Sequence, residues 1–300
     1  MNDRTISLDT LSLNVAEWRR VGPPLILLHG GSASSRSWVA VAPVLARDWH
    51  VLAPDLRGHG LSGWGPRYHL EDYADDIVQL IDRELDQPAV LVGHSLGGQV
   101  AVAIAARRPD VARALVVGDA PLELESLRRH MAANRPMNMA WRDLAALGES
   151  QESIASRLPD VPVARPGGVG VGRIAEVVPE DAPWYMDMAA NISRLDPATL
   201  DAVIEFERMH AGLDEWLPLV RCPVLLVQGD PAAGGLVRDD EVERWRSVGA
   251  GIRHAQLHGV GHGLSLESPM AFLDAIQPFI REVRRAAGVS RQRRVGPGDS

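Results

Sequence analysis

The sequence predicts an α/β fold with a mostly parallel sheet and helices on both of its faces. Apolar runs without polar interruption recur along the chain, for example at residues 25–28 and 89–92. Such runs are typical of parallel strands buried on both faces. Helical patterns separate most of them, as at residues 70–85, and this alternation indicates a parallel sheet between helices. Polar residues follow several runs, at the strand ends where ligands bind in this architecture.

The expected elements follow one another from the N-terminus. Residues 6–8 and 11–18 alternate apolar and polar side chains, which predicts an antiparallel hairpin at a sheet edge. The other expected strands lie at residues 25–28, 50–53, 89–92, 114–117, 224–227 and 252–257. The expected helices between them occupy residues 38–45, 70–85, 99–107, 239–247 and 270–285.

One interval interrupts this alternation. It shows no convincing strand, and helical patterns at residues 123–147, 151–158 and 197–211 flank a loop rich in Pro and Gly at residues 159–172. We interpret the interval as a helical cap inserted into the core, with a separate domain as the alternative. The predicted division is a first core part at residues 1–120, the cap at 121–218, a second core part at 219–286 and a disordered tail at 287–300.

Composition excludes several classes of function. The net charge of −8 argues against nucleic acid as a partner, because such proteins present basic surfaces. Cys222 is the single cysteine, so no internal disulfide can form. We find no secretory signal and no apolar run long enough to span a membrane, so we expect a cytoplasmic protein without a membrane partner. No cluster of metal ligands is visible, and we expect no metal and no cofactor. The oligomeric state is left open.

The segment Gly93-His94-Ser95-Leu96-Gly97 stands between an apolar run and a helical pattern. A sharp turn from a strand into a helix projects a serine hydroxyl away from the backbone, and glycines at its flanks avoid collisions. The positive end of the following helix favours a developing oxyanion. This context predicts that Ser95 is a nucleophile.

Five segments together resemble the α/β-hydrolase superfamily, in the branch whose helical cap precedes the strand that bears the catalytic acid. The resemblance covers about residues 4–284 outside the cap. It implies a mostly parallel eight-stranded sheet with flanking helices and a helical cap insertion. The segments are HGG at residues 29–31, DLRGHGLS at 55–62, GHSLGG at 93–98, LLVQGD at 225–230, and GVGH at 259–262 followed by ESP at 267–269.

The resemblance also implies the partners of the serine. His262, in a loop flanked by glycines, matches the catalytic base, with His258 as its rival. The chain order serine, acid, histidine favours Asp230, which follows the expected strand at residues 224–227. Many members of the family carry the acid two positions later, where this chain has Ala232. The alternatives for the acid are therefore Asp239, Asp240 and, after the strand at residues 114–117, Asp119.

The remaining expectations concern the surroundings of Ser95. The backbone amides of Leu96 and Gly31 are expected to form the oxyanion hole. Trp38 is expected either to line the substrate pocket or to pack against the following helix. In the cap, Trp141 and Trp184 stand among methionines that suit an apolar pocket, or else form a small core of the cap itself. The family's loop at Asp55, Arg57 and His59 is expected to be structural.

The predicted function is hydrolysis of a carboxylic ester or related acyl compound through a Ser-His-Asp triad and an acyl-enzyme. The partner would be a moderately hydrophobic small molecule. Two alternatives remain: cleavage of a carbon–carbon bond or perhydrolysis with the same triad, and a small-molecule receptor without catalysis. Haloalkane dehalogenases and epoxide hydrolases are disfavoured, because they carry Asp at the position of Ser95.

Overall fold

The computed structural model describes residues 1–18, 22–165, 170–205, 213–248 and 251–294, with side chains up to residue 286. It confirms the α/β fold with an eight-stranded, mostly parallel sheet. The strands of this sheet are β1 Asn2–Ser7, β2 Ser12–Trp18, β3 Pro24–Leu28, β4 His50–Pro54, β5 Ala89–His94, β6 Ala112–Gly118, β9 Val224–Gly229 and β10 Ile252–Leu257.

The strand order β1-β2-β4-β3-β5-β6-β9-β10 places the two chain segments with site motifs side by side. The N-terminal hairpin is antiparallel, with Ile6 opposite Leu13, and β2 pairs antiparallel with β4. The remaining pairs are parallel. Strands β3, β5, β6, β9 and β10 therefore end at one edge of the sheet, where loops from distant parts of the chain meet.

Eleven helices are described. They are α1 Ala42–Leu45, α2 Leu70–Glu84, α3 Leu96–Arg107, α4 Leu124–Ala146, α5 Gln151–Arg157, α6 Trp184–Ile192, α7 Pro197–Ile204, α8 Leu213–Trp216, α9 Asp239–Val248, α10 Leu264–Glu267 and α11 Pro269–Arg294.

Successive side chains of the central strands pack on opposite faces of the sheet. In β5, Leu91 joins the apolar cluster beneath α2 and α3, whereas Val90 and Val92 join the cluster beneath α11. All three are fully buried. Because a strand presents alternate residues to its two faces, helices on both sides explain why the run carries no polar residue.

Residues 121–218, which we call the insertion, separate β6 from β9. Its helices α4 to α8 agree with the predicted helical content, although residues 206–211 of the expected third helix lie outside the described residues. The expectation of no strand is wrong, because β7 Pro162–Ala164 and β8 Val171–Arg173 form an antiparallel ladder. Two strands of three residues give too short an alternation to be detected in a segment rich in Pro and Gly.

The prediction of a disordered tail from residue 287 is wrong in its first part, since α11 runs to Arg294. The amphipathic pattern that begins at the core-facing Phe272 continues the helix beyond the last buried turn. Residues 295–300 lie outside the described part of the chain. None of the described helices combines the length and the apolar character that crossing a membrane requires.

A buried ion pair fastens the loop after β4 to α2. The Arg57 guanidinium donates from Nε and Nη2 to the two carboxylate oxygens of Asp76 at 2.6 and 2.7 Å. Its Nη1 donates to the carbonyl oxygen of Arg67 at 3.0 Å. Both charged side chains are almost completely buried. The loop that begins with Asp55 is thereby held in one conformation, as its structural interpretation requires.

Replacing Asp76 by Ala is expected to lower the free energy of unfolding by about 3–5 kcal/mol, because Arg57 would stay buried without its carboxylate. Urea unfolding measures this change. The double variant Arg57→Met with Asp76→Leu should recover much of the loss, since neither charge remains. Asp82→Ala, an exposed position on the same helix, is the matched control and should change stability little. Equal losses in both Asp variants would contradict the prediction.

Candidate active site

Ser95 lies at the sharp turn between β5 and α3. Its backbone has φ 51° and ψ −118°, a region that residues with a side chain rarely adopt. A side chain at Gly93 would collide with the Gly97 carbonyl oxygen, and one at Gly97 would collide with the Leu28 carbonyl oxygen. The two glycines of the motif are therefore required by close backbone contacts on either side of Ser95.

The surrounding backbone stabilises this strained conformation. The Ser95 amide donates to the carbonyl oxygen of Gly118 at the end of β6, at 2.9 Å. The Ser95 carbonyl oxygen accepts from Gly98 at 2.9 Å in the first turn of α3. Ser95 occupies the N-cap position, yet its side chain accepts no capping hydrogen bond. The hydroxyl group is thus not committed to stabilising the helix.

His262 lies in the loop after β10, and its imidazole is held by a carboxylate. Its Nδ1 is 2.7 Å from Oδ2 of Asp119, which follows β6 directly. The His262 side chain is 31% exposed, whereas its rival His258 is an exposed residue at the end of β10. A histidine oriented by a carboxylate through Nδ1 can use Nε2 to accept a proton from a nearby hydroxyl.

Asp119 is only 1% exposed and all its oxygens accept hydrogen bonds. Oδ1 accepts from the amides of Gly229 and Val237 at 3.1 and 3.3 Å, and Oδ2 accepts from Leu236 at 2.8 Å as well as from His262. Burial opposes ionisation, but these bonds and the His262 ring outweigh it and hold the pKa of Asp119 below its usual range. The carboxylate is therefore charged at neutral pH.

The expectation that Asp230 is the partner of His262 is wrong. Oδ1 of Asp230 accepts from the Ala232 amide at 2.9 Å, and Oδ2 accepts from the Gly259 amide at 2.8 Å. The side chain caps a short 3₁₀ helix at Pro231–Ala233 and ties it to the loop after β10. These amide hydrogen bonds lower the pKa of Asp230. Its carboxylate is fully used in holding loops together.

The other acidic alternatives are also used elsewhere. Asp239 Oδ1 accepts from the Gln228 side chain at 2.8 Å, and Asp240 pairs with Arg244 at 2.7 Å on the exposed face of α9. Asp119 was the remaining alternative. Its signal in the sequence is the Gly118-Asp119 pair after an apolar run, the same signal that Gly229-Asp230 gives.

His94 connects the serine turn to the His262 loop. Its Nε2 donates to the carbonyl oxygen of His262 at 2.7 Å, and the two rings lie 4.6 Å apart between centroids. Burial, followed by the proximity of His262, lowers the pKa of His94 to about 3. His94 is therefore a neutral donor that holds the residue preceding Ser95 against the histidine loop. The sequence analysis assigned it no role.

The loop after β3 approaches Ser95 from the other side. A methyl group at Gly30 would lie 2.9 Å from His94 Nδ1 and 3.3 Å from the Ser95 Cβ, whereas one at Gly31 would meet nothing within 4 Å. Gly31 thus faces open space beside the serine turn. Leu96 is the first residue of α3, and the amide at that position has no acceptor within the helix. Both amides have positions compatible with the predicted oxyanion hole.

The Asp55 motif holds this loop in place. Asp55 accepts from the Ser35 amide at 2.7 Å and from the Asn14 side chain at 3.0 Å. His59 Nε2 accepts from the amide of Ser32, which has a positive φ of 54°. Burial lowers the pKa of His59 to about 3, so it accepts as a neutral imidazole. These contacts agree with the structural interpretation of the motif.

The three tryptophans expected at the pocket pack elsewhere. Trp38 is 1% exposed and packs against Phe272, with ring centroids 6.0 Å apart, in the core beneath α11. Trp141 and Trp184 join an apolar cluster inside the insertion with Leu144 and other buried side chains. The alternatives that assigned these tryptophans to packing therefore describe their contacts. Large apolar side chains give the same sequence signal in a core and in a pocket.

Two residues of the insertion that the sequence analysis missed reach the site. The His130 ring of α4 lies 6.2 Å from the His262 ring, between centroids. The Asn191 side-chain oxygen of α6 accepts from the Ser34 hydroxyl at 2.9 Å, in the loop after β3. Within the described ranges, no three metal-ligating side chains converge at this site or elsewhere.

Comparison with known proteins agrees with this architecture. Residues 23–149 match the family model described as alpha/beta hydrolase fold. The chain is also similar to the solved structure of E-2-(acetamidomethylene)succinate hydrolase, with a TM-score of 0.71 and 24% identity over 93% of this chain and 99% of that one. The chain belongs to the α/β-hydrolase superfamily.

Two curated relatives of this α/β-hydrolase superfamily member resemble its N-terminal part. Lipase LipV of Mycobacterium tuberculosis is 37% identical over 119 residues, which are 39% of this chain and 45% of the lipase. The 2-(acetamidomethylene)succinate hydrolase of Mesorhizobium japonicum is 33% identical over 162 residues, 53% of this chain and 57% of that enzyme. The chain thus spans about half the length of these relatives.

In this α/β-hydrolase superfamily member, Glu267 holds the His262 loop from both sides. Its Oε2 accepts from the Gly261 amide at 2.7 Å and its Oε1 accepts from the Gly263 amide at 2.8 Å. The two donors flank His262 in the chain, so a single carboxylate fixes the backbone before and after the imidazole. The ESP segment of the sequence therefore positions the histidine loop.

Glu267→Gln is expected to lower the free energy of unfolding by about 1–3 kcal/mol, because the amide nitrogen cannot accept one of the two backbone hydrogen bonds. Urea unfolding measures this loss. Glu282→Gln, which removes an exposed ion pair with Arg253, is the matched control and should change stability little. A Glu267→Gln variant as stable as the control would show that the clamp is not needed to hold the loop.

Proposed function

We propose that the chain is a serine hydrolase that cleaves a carboxylic ester or a related acyl compound through Ser95, His262 and Asp119. The observation that carries this proposal is the 2.7 Å contact between His262 Nδ1 and the buried Asp119, beside a serine in a strained strand-to-helix turn. A serine hydroxyl is a weak nucleophile and needs a base held in one tautomer. Asp119 supplies that constraint for His262.

In the proposed reaction, His262 Nε2 takes the Ser95 proton as Oγ attacks the carbonyl carbon. Asp119 keeps the proton on Nδ1 and stabilises the imidazolium that forms. The carbonyl oxygen gains negative charge, and the amides of Leu96 and Gly31 hold it, assisted by the N-terminus of α3. Collapse of this intermediate expels the leaving group, which receives the proton from His262. A water molecule activated by His262 then releases the acid.

The insertion would act as a cap over this site and select the substrate. The contact of His130 with the His262 ring and the hydrogen bond between Asn191 and Ser34 support this role. The names of the relatives, a lipase and an acetamidomethylene succinate hydrolase, support acyl compounds as substrates. We propose a small molecule that the cap admits to the edge where β3, β5 and β6 end.

Ser95→Ala is expected to abolish ester hydrolysis, with a fall in kcat of roughly a millionfold or to the background rate. A panel of short acyl esters measures the activity, and stoichiometric labelling by a fluorophosphonate identifies the nucleophile. Ser193→Ala, at an exposed serine of the insertion, is the matched control and should keep both activity and labelling. Hydrolysis that survives in Ser95→Ala, or an unlabelled Ser95, would contradict the proposed function.

Asp119→Asn is expected to lower kcat by about 10⁴-fold, because an amide at this position no longer fixes the tautomer of His262 or stabilises its charged form. Asp230→Asn should keep kcat close to that of the unchanged protein, since the Asn oxygen can still accept a backbone hydrogen bond. Steady-state kinetics on the best ester compare the two. The reverse order of effects would make Asp230 the acid.

A further inference from the structure

We propose that His130 contacts the substrate and donates a hydrogen bond from Nε2 to an acceptor atom in its leaving group. This inference rests on the proposed function of Ser95 and His262. It assigns the insertion a specificity-determining residue and defines a class of substrate: acyl compounds whose leaving group carries an ether, hydroxyl or carbonyl oxygen.

The start of α4 is fixed to the core. Glu123, the residue before the helix, accepts from Trp245 Nε1 at 2.9 Å and pairs with Arg244 at 2.8 Å, both on α9. Arg129 of α4 pairs with the fully buried carboxylate of Glu241 at 2.7 Å. His130 follows Arg129 directly, so its backbone belongs to the rigid frame of the core.

Pro136 separates this anchored part of α4 from the rest of the insertion. Met131 packs against the large core cluster, whereas Met137 and Trp141 pack inside the insertion. A proline inside a helix removes one backbone hydrogen bond and allows a bend there. Movements of the outer part of the insertion therefore need not displace His130.

The His130 ring is placed beside the leaving group. Its centroid lies 6.2 Å from that of His262, with an angle of 45° between the ring planes. In acyl transfer the leaving atom must come within hydrogen-bonding distance of His262 Nε2 to receive its proton. A side chain from the insertion that packs against the His262 ring is therefore near the atoms that follow the scissile bond.

Asn134 determines which nitrogen of His130 carries the proton. The Asn134 Nδ2 donates to the His130 carbonyl oxygen at 3.1 Å, and a carbonyl can only accept, so the amide group faces this side. The same Nδ2 donates its second hydrogen to His130 Nδ1 at 3.0 Å. Nδ1 is thus an acceptor, and the proton of the neutral ring lies on Nε2.

His130 is neutral and its Nε2 is available. Burial lowers the pKa of His130 to about 3, so the ring donates one hydrogen bond without carrying charge at neutral pH. Among the described residues, no hydrogen-bonding partner of Nε2 is found. A neutral donor of fixed tautomer recognises an acceptor oxygen, and a purely alkyl leaving group offers none.

The test compares two esters of the same acid, the butyl ester and the 2-methoxyethyl ester, which are similar in size but differ in an ether oxygen. The measured quantity is the ratio of their kcat/KM values, compared between variants because the ether also affects intrinsic reactivity. His130→Phe keeps a ring without the donor and should lower the preference for the methoxyethyl ester by about twofold to tenfold. His130→Gln keeps an N–H donor and should retain part of the preference.

Labelling of Ser95 by a fluorophosphonate without an ether provides the second readout. His130→Phe should be labelled at the rate of the unchanged protein, because the Ser95 and His262 machinery is intact. Ala133→Ser, exposed on the same helix, is the control for both measurements. An unchanged ester ratio in His130→Phe would overturn the proposal, as would a labelling rate that falls as far as ester hydrolysis, which would give His130 a purely supporting role. Failure to label Ser95 in the unchanged protein would overturn the proposed function as well.

Discussion

The Asp119 carboxylate is withdrawn from water at the end of β6, and a buried charge of this kind is stable only where donors surround it. The donors come from the end of β9, from the loop that follows β9 and from His262 after β10. The need to satisfy one carboxylate therefore joins three loops that are distant in the chain. The geometry of the site at this edge of the sheet depends on that convergence.

The same strand end also supports the serine turn. Gly118, the residue before Asp119, accepts the Ser95 amide at 2.9 Å. The strained backbone of Ser95 and the orientation of His262 are thus both referred to the end of β6. His94 completes this connection by donating to the His262 carbonyl oxygen. Three groups that must lie within hydrogen-bonding reach of a reacting carbonyl share one rigid support, which is the preorganisation that acyl transfer requires.

The insertion is tied to this frame at several points along its length. Its first helix is anchored on α9 through Glu123 and Arg129, and α6 reaches the loop after β3 through Asn191. Near α7, the Tyr68 hydroxyl donates to the Asp196 carboxylate. The outer part has an apolar cluster of its own, which accounts for its tryptophans. The division between anchored and self-packed parts determines which of its side chains can contact a substrate in a fixed position.

The sequence by itself determined the α/β fold, the order of the strands along the chain, the turn at Ser95 and the histidine loop, because these depend on local hydrophobic pattern and on short motifs. The choice of acid was decided only by the tertiary structure. Asp119 and Asp230 both follow an apolar run and a glycine, and β6 and β9 are neighbours in the sheet although they are far apart in the chain. Which carboxylate faces His262 depends on backbone donors that folding brings together: Gly229 donates to Asp119, while Asp230, the next residue, accepts from Ala232 and Gly259. Contacts between residues so distant along the chain leave no local pattern, and for this reason the sequence offered the correct acid only as an alternative.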